Sequence, residues 1–197
     1  MSIIQTYFDG QANNYQLRSG KGFWGLLRRR ELAAVLKALQ PFSGMTCLEL
    51  GCGSGYYTSI MARSKPSRLI AVDLSHKMLC SLNIPGVLKV RADIQSFQVK
   101  TPFQRILCAG ALEFLPDPVS FFCNVRHALS CQGFVILLVP KKSLTGRIYQ
   151  LFHRSHGVQI RLFDMSDLTN MIEKSGLSLD FIVCPTAMTY VLRVSHA

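Results

Sequence analysis

The chain has 197 residues, of which 49% are hydrophobic and 17% are charged, and its formal net charge at pH 7 is +11. Its length and apolar content exclude an intrinsically disordered chain, a fibrous repeat and a small domain held together by disulfides. They predict one domain, spanning residues 1–197, with a buried core of its own.

The cysteines and the apolar stretches bear on where the protein resides. No two of the 7 cysteines form a C-x-x-C pair, so the sequence indicates neither a disulfide framework nor a metal site. The longest apolar stretch, 134–139, is far shorter than the roughly 18 residues that indicate a membrane span, and the first residues lack an apolar signal core. We therefore expect a cytoplasmic protein. The sequence leaves its oligomeric state undecided.

The first clear element is a helix over 24–39, because apolar residues recur at positions 32, 35, 36 and 39 while arginines occupy 28–30. Apolar runs rich in β-branched residues then predict strands at 46–50, 68–73, 87–91, 105–109 and 134–139. The stretches between them predict helices at 56–63, 76–82 and 118–129. This alternation predicts an α/β fold with a doubly wound parallel sheet.

The pattern changes after the fifth predicted strand. Residues 141–157 indicate a loop and a short helix, and residues 165–175 indicate a helix that ends before Gly176. Two further apolar runs, 177–184 and 188–194, are close enough to form a hairpin. Such a hairpin adds one antiparallel strand to the otherwise parallel sheet.

The segment CLELGCGSG, residues 47–55, joins an apolar strand to a helix through a glycine turn. Gly51, Gly53 and Gly55 allow the backbone to approach a ligand closely. A dinucleotide-binding turn would have its third glycine at position 56, where this chain has Tyr56. Glu49 precedes the turn, and a carboxylate there would repel a pyrophosphate and tolerate a cationic ligand.

Three further motifs follow the turn in order. LIAVDLS contains Asp73, RADI contains Asp93, and ILCAGALEFLPDP covers residues 106–118. LSCQGFVIL at 129–137 is similar to an L-x-P-G-G turn, with Cys131 and Gln132 in place of proline and glycine. Together these motifs resemble the class I S-adenosylmethionine-dependent methyltransferases over nearly the whole chain. The resemblance implies a Rossmann-like doubly wound sheet of seven strands, the last one antiparallel, with the cofactor at the carboxyl ends of the first, second and fourth strands.

The resemblance also implies roles in binding S-adenosylmethionine. The glycine turn would contact the cofactor through its backbone, and Glu49 would fix the turn and balance the cofactor's positive charge. Asp73 would bind both ribose hydroxyls, and Asp93 would accept from the adenine amine. The implied cofactor-contact residues are Glu49, Gly51, Cys52, Gly53, Gly55, Asp73, Leu74, Met78, Asp93, Ile94, Ala109, Gly110 and Tyr15. Packing in the core is an equal alternative for Cys52, Leu74 and Met78.

Two segments are similar to the parts of such enzymes that cover the ligands. Residues 7–15 resemble the Y-F-D-x-x-A-x-x-Y lid of small-molecule methyltransferases, with a plain N-terminal helix as the alternative. Residues 1–40 would form this lid and its helices, and 141–164 would be an insertion over the substrate. The insertion contains the candidate general bases His153, His156 and Tyr149. Outside the insertion, Tyr15 is another candidate base and Glu113 is a weaker one. A solvated surface residue is the alternative for the two histidines.

The charge distribution bears on the acceptor. Residues 18–37 contain six basic side chains and one acid, and residues 141–163 contain five basic side chains and no acid. Such patches concentrate anions, so we expect a small-molecule or lipid acceptor that is anionic or lies at a membrane surface. Trp24, Leu26 and Leu27, beside the arginines at 28–30, would suit docking on an anionic membrane.

Two alternatives stay open. The basic composition also suggests a nucleic-acid methyltransferase. Against it, residues 109–113, AGALE, lack the N/D-P-P-Y/F sequence with which base-amine methyltransferases hold a flipped base, so nucleic acid is the less expected partner. The other alternative is a non-catalytic member that only binds the cofactor.

Overall fold

The computed structural model describes residues 3–11 and 22–197. Its helices are α1 (Ile3–Gln11), α2 (Gly22–Leu39), α3 (Tyr56–Arg63), α4 (His76–Ser81), α5 (Pro118–Ala128), α6 (Leu144–Ser155) and α7 (Met165–Lys174). Its strands are β1 (Thr46–Leu50), β2 (Arg68–Asp73), β3 (Val87–Arg91), β4 (Phe103–Ala109), β5 (Leu129–Pro140), β6 (Leu177–Val183) and β7 (Thr189–His196). A 3-10 turn, Leu112–Phe114, follows β4.

The strands of the described residues form one seven-stranded sheet in the order β3-β2-β1-β4-β5-β7-β6. Strands β1 to β5 pair in parallel, and β7 pairs antiparallel with both β5 and β6. The predicted Rossmann-like doubly wound sheet with an antiparallel last strand is therefore confirmed. Strand order reverses between β1 and β4, and this reversal opens a crevice at their carboxyl ends, where sheets of this kind bind ligands.

The central strands are buried on both faces: successive residues of a strand point to opposite sides, and consecutive residues of β1 and β5 are buried. Leu48 of β1 belongs to a core with Phe121 of α5 and Leu168 of α7. The neighbouring Cys47 belongs to a second core with Val35 of α2. Burial of each large apolar side chain stabilises the fold by ~1.5–3 kcal/mol. The carboxyl edge of the sheet is thus a fixed platform between two packed helical layers.

Several element boundaries differ from the sequence prediction. Strands β4 and β5 begin earlier than predicted, at Phe103 and Leu129, and α2 begins at Gly22. The largest difference is α6, a helix of 12 residues where the sequence predicts a loop and a short helix. Ser143 begins this helix by accepting a hydrogen bond from the backbone N–H of Gly146 at 3.1 Å.

Candidate functional site

The glycine turn after β1 is held against β2 and against the loop that follows β4. The backbone N–H groups of Gly51 and Cys52 both donate to the carbonyl of Val72, at 2.8 and 3.0 Å. Gly51 has φ +74°, and a Cβ at this residue would lie 2.5 Å from the Cβ of Ala111. Since no side chain fits between Gly51 and the Ala111 methyl group, the glycine turn packs closely against the loop that follows β4.

Gly53 is the point at which the turn meets Asp73. The N–H of Gly53 donates to Oδ2 of Asp73 at 2.8 Å, and the N–H of Ser75 donates to Oδ1 at 2.8 Å. Gly53 has φ +53°, and a Cβ built there meets no described atom within 4 Å. The turn therefore borders open space on this side, while Gly55 ends it as the N-cap of α3.

The Asp73 carboxylate keeps acceptor capacity after these two bonds. A carboxylate offers about four lone-pair positions, and the two backbone N–H groups use one on each oxygen. Burial raises the pKa of Asp73 above its ordinary value, while the backbone N–H groups of Ser75, Gly53 and Leu74 oppose this shift. The end of β2 thus presents a carboxylate with acceptor capacity for further donors, such as the hydroxyls of a vicinal diol.

The predicted adenine-side residues lie at the ends of β2 and β3. Met78 and Ile94 are buried, with 1% and 8% exposure, and Leu74 is half-buried. Asp93 is exposed, and its Oδ1 accepts from the backbone N–H of Gln95 at 2.9 Å. Because Arg91 pairs with Asp73 across the strands, Asp93 lies two residues beyond the level of the Asp73 carboxylate.

Two buried carboxyl groups lie beneath the turn and the β4 loop. Glu49 accepts a hydrogen bond from the Thr58 hydroxyl at 2.5 Å. Oε2 of Glu113 has no hydrogen-bond partner among the described residues. Burial raises the pKa of both Glu49 and Glu113 to about 8. Burial, together with the charges of Glu113 and Glu49, also raises the pKa of the Cys108 thiol in β4.

This pair of acids favours a cationic group. A positive charge placed beside the two carboxyls would restore their ordinary ionisation and recover part of the cost of their burial. Gly110, one of the predicted contact residues, lies close to Glu113: a Cβ at Gly110 would be 3.8 Å from Oε1 of Glu113. The backbone of Gly110 is fixed by its N–H, which donates to the Leu138 carbonyl at 2.9 Å, next to Ala109 at the end of β4.

Helix α1 lies over this edge of the sheet. The Ser75 hydroxyl donates to the carboxylate of Asp9, which ties α1 to the N-terminus of α4 beside Asp73. Further along α1, the ring of Phe8 lies 5.1 Å from that of Phe114, centroid to centroid. Tyr15, the last residue of the predicted lid, lies outside the described residues.

The candidate bases in α6 occupy different environments. His153 is buried, with 6% exposure, and its ring packs against Tyr149 at a centroid distance of 4.5 Å. Its Nδ1 lies 3.4 Å from the Tyr7 hydroxyl of α1. Burial, together with the charge of His156, lowers the pKa of His153 to about 4. His156 is exposed, and its Nδ1 lies 2.8 Å from the Phe152 carbonyl.

A basic surface cavity adjoins α6. Its volume is about 570 Å³, and its lining residues are Lys142, Arg147, Gln150, Leu151, Arg161 and Leu162. The other basic run lies near the glycine turn, since the Arg28 guanidinium stands 4.6 Å from the centroid of the Tyr56 ring at the start of α3. Among residues 3–11 and 22–197, no group of histidine, cysteine and acidic side chains is arranged to hold a metal ion.

Sequence reasoning missed three side chains that organise this site. Thr58 holds Glu49, and the Ser75 hydroxyl links Asp9 to the backbone N–H of Met78, to which it is bonded at 3.1 Å. The role of Ser75 could have been predicted in part, because a serine directly before a helix is a favoured N-cap. Asp9 is the aspartate of the predicted lid motif, but the motif does not indicate its bond to Ser75, and no local pattern marks Thr58.

Residues 23–180 match a family model described as a methyltransferase domain. Among curated proteins, the trans-aconitate 2-methyltransferase of Escherichia fergusonii is 30% identical over 116 residues, which cover 57% of this chain and 46% of that protein. The chain thus spans about half the length of the curated relatives that it matches.

Solved structures share the fold. An S-adenosylmethionine-dependent methyltransferase from Mesorhizobium loti has a TM-score of 0.72 and 20% identity, covering 84% of this chain and 97% of that one. Magnesium protoporphyrin IX methyltransferase from Synechocystis PCC 6803, crystallised with bound SAH, has a TM-score of 0.77 and 13% identity, covering 99% of each chain.

Proposed function

Because this chain belongs to the class I S-adenosylmethionine-dependent methyltransferases, we propose that it transfers a methyl group from that cofactor to a small anionic acceptor. The observation that carries the proposal is the Asp73 carboxylate at the end of β2, which holds the glycine turn through the N–H of Gly53. Buried carboxyls also precede the turn, at Glu49, and follow β4, at Glu113. This arrangement fits a ligand that is both a diol and a cation, and S-adenosylmethionine is such a ligand.

Different residues of the crevice bind different parts of the cofactor. Asp73 accepts from both ribose hydroxyls with the lone pairs that Gly53 and Ser75 leave open. Asp93 and the backbone of Ile94 meet the adenine edge, and Leu74 and Met78 pack beside the ring. Three features support these roles: the open space at Gly53, the position of Asp93 beyond Asp73, and the half-buried Leu74.

The methionine end lies nearer β4. The carbonyls of Ala109 and Gly110 bind its ammonium group, and Glu49 and Glu113 balance the positive charge from below. The open Oε2 of Glu113 supports this placement, since a buried carboxyl without a partner costs free energy that a cation recovers.

The bound cofactor supplies a methyl group already activated by its sulfonium, so this chain mainly places the acceptor in line and excludes water. Helix α1 and residues 141–164 are the proposed cover. In support, Tyr7 and Phe8 of α1 pack with Phe114, Tyr149 and the buried residues Val158 and Ile160 in one cluster.

The acceptor is proposed to be an anion, and a carboxylate in particular. Lys142, Arg147 and Arg161 line the cavity beside α6, and guanidinium groups bind carboxylates through paired hydrogen bonds. The curated relatives named for trans-aconitate, a carboxylate, support the same class. An amphiphilic anion at a membrane surface is a second acceptor class, favoured by exposed apolar side chains on α6.

A carboxylate acceptor needs no general base, because carboxylic acids are ionised at neutral pH. The environment of His153 agrees with this chemistry: with a pKa of about 4, its imidazole is neutral at pH 7. We assign His153 and Tyr149 to positioning the acceptor under α1, and we assign no proton transfer to the exposed His156.

Label transfer from radioactive S-adenosylmethionine tests the function. The chain is incubated separately with organic-acid, lipid and RNA extracts. We expect label in the organic acids, as base-labile esters, and less after Arg161→Gln. Label confined to RNA would support a nucleic-acid enzyme instead. Cofactor binding without transfer to any extract would support a non-catalytic member.

A further inference from the structure

Helix α6 turns a continuous apolar stripe outward. Leu144, Ile148, Leu151 and Phe152 are 81%, 61%, 62% and 55% exposed. Their spacing of four, three and one places them within one arc of about 100° on the helix. His153 and Gly146 are buried on the opposite side. The apolar stripe therefore contributes nothing to the core of its own chain.

The inward side of α6 is already occupied. His153 contacts Tyr7 of α1, and the Gln150 side chain donates to the Ile160 carbonyl at 2.8 Å. These contacts fix the rotation of the helix about its axis. The outward stripe is therefore a stable surface of the molecule.

Positive charge borders the stripe. Arg147 and Arg154, seven residues apart on one side of the helix, are both exposed, as is Arg161 in the next segment. Residues 141–163 contain no acid. The acid that follows, Asp164, is paired with Lys142 at 3.2 Å, so it does not neutralise these arginines.

The charge beside the apolar stripe also argues against a second copy of this chain as the partner that covers the stripe. Two α6 stripes in contact would bring Arg147 and Arg154 of each copy close together, and like charges at an interface cost free energy. An anionic surface with an apolar layer beneath it would bury the apolar stripe and pair with the arginines beside it.

We propose that α6 lies in the headgroup layer of a membrane that contains anionic lipids. The apolar stripe enters the acyl boundary, and Arg147 and Arg154 contact the headgroups. Among described side chains, α2 has Leu26 as its exposed large apolar residue, whereas α6 presents four, so we place the docking element on α6. The proposal rests on α6 alone and does not depend on methyl transfer.

Vesicle co-sedimentation of the full chain, without cofactor or acceptor, tests this surface. One vesicle is pure phosphatidylcholine and the other contains about one third phosphatidylserine. We expect binding to the anionic vesicles that weakens as salt rises. Leu144→Ser with Ile148→Ser should weaken it about tenfold or more, because each side chain would lose burial in the apolar layer. Arg154→Glu should weaken it about fivefold or more.

Matched control changes lie away from α6. Leu88→Ser alters a leucine of β3 that is 56% exposed, and Lys100→Glu alters an exposed lysine that precedes β4, at the opposite edge of the sheet. Both should bind vesicles as the unaltered chain does. The proposal is overturned if the unaltered chain does not bind anionic vesicles, or if the α6 variants bind them as well as the control variants do. It is also overturned if the serine pair converts an oligomer into monomers, because the stripe would then be a contact between copies.

Discussion

The carboxyl edge of β1, β2 and β4 and the outer face of α6 use their residues in opposite ways. At the sheet edge, backbone N–H groups and buried carboxylates hold one another, as in the bond from Gly53 to Asp73. On α6, apolar side chains that could have filled a core face outward. The sheet edge thus offers hydrogen-bonding groups to a small polar ligand, whereas α6 presents apolar side chains on the outside of the molecule.

The sharpest test of the rigid edge compares two glycines of the same turn. Gly51→Ala should destabilise the fold by ~3 kcal/mol or more, because its Cβ meets Ala111 and its φ is positive. Gly53→Ala should cost only ~1–2 kcal/mol, since its strain is in the backbone alone. Denaturant unfolding measures both.

The same pair tests where the cofactor lies. Gly53→Ala should weaken binding of S-adenosylhomocysteine far more than it weakens the fold, because the new methyl group enters the open space beside Asp73. Unchanged affinity by calorimetry would place the cofactor elsewhere.

Asp73→Asn should weaken binding of S-adenosylhomocysteine by about 100-fold, because one oxygen becomes an amide that donates and the charge is lost. Asp117→Asn is the matched control, an exposed N-cap of α5 that should change stability alone. Equal losses of affinity in both variants would show that Asp73 does not bind the ligand directly.

The buried carboxyls predict a pH dependence of stability. The folded chain retains protons on Glu49 and Glu113 up to a pKa of about 8, whereas the unfolded chain releases them near the ordinary value. Unfolding is therefore favoured as pH rises from about 5 to about 8, and the stability that these protons provide is lost through that window.

Glu113→Gln should make this fall shallower, because an amide has no proton to lose. It should also weaken binding of S-adenosylhomocysteine, whose ammonium loses a counter-charge. Thermal unfolding across the pH range and calorimetry measure the two effects. A fall as steep as that of the unaltered chain would show that Glu113 is ionised in the fold.

The smallest expected effect concerns the attachment of α1 to the edge. Asp9→Asn should weaken binding of S-adenosylhomocysteine only a few-fold. Combined with Ser75→Ala, it should give a coupling free energy of ~0.5–1 kcal/mol, because the two side chains share one hydrogen bond. Strict additivity would mean that α1 covers the site without this contact.

Much of the fold follows from local patterns. The runs predicted at 46–50, 68–73 and 87–91 match the bounds of β1, β2 and β3, because short runs rich in apolar and β-branched residues between turn signals indicate strands locally. The glycine turn is equally local, since residues a few positions apart fix its conformation.

The rest depends on contacts between distant segments. Helix α6 is longer than the predicted short helix, although its apolar residues recur at the helical spacing i, i+4, i+7 and i+8. The sequence pattern could not show that this apolar side faces outward, because that depends on contacts with distant segments. The depressed pKa of His153 could not be predicted either, as the aromatic rings around it include Tyr7 and Phe114 from elsewhere in the chain. The predicted cofactor residues converge on one edge, but their roles stay predictions.

Helix α1 grips both halves of the crevice: Asp9 touches the strand-β2 side through Ser75, and Tyr7 touches His153 of α6. In the cover proposed above, this one short helix contacts both the nucleoside side and the acceptor side. We therefore expect release of the spent cofactor and of the methylated product to depend on the same movement of α1.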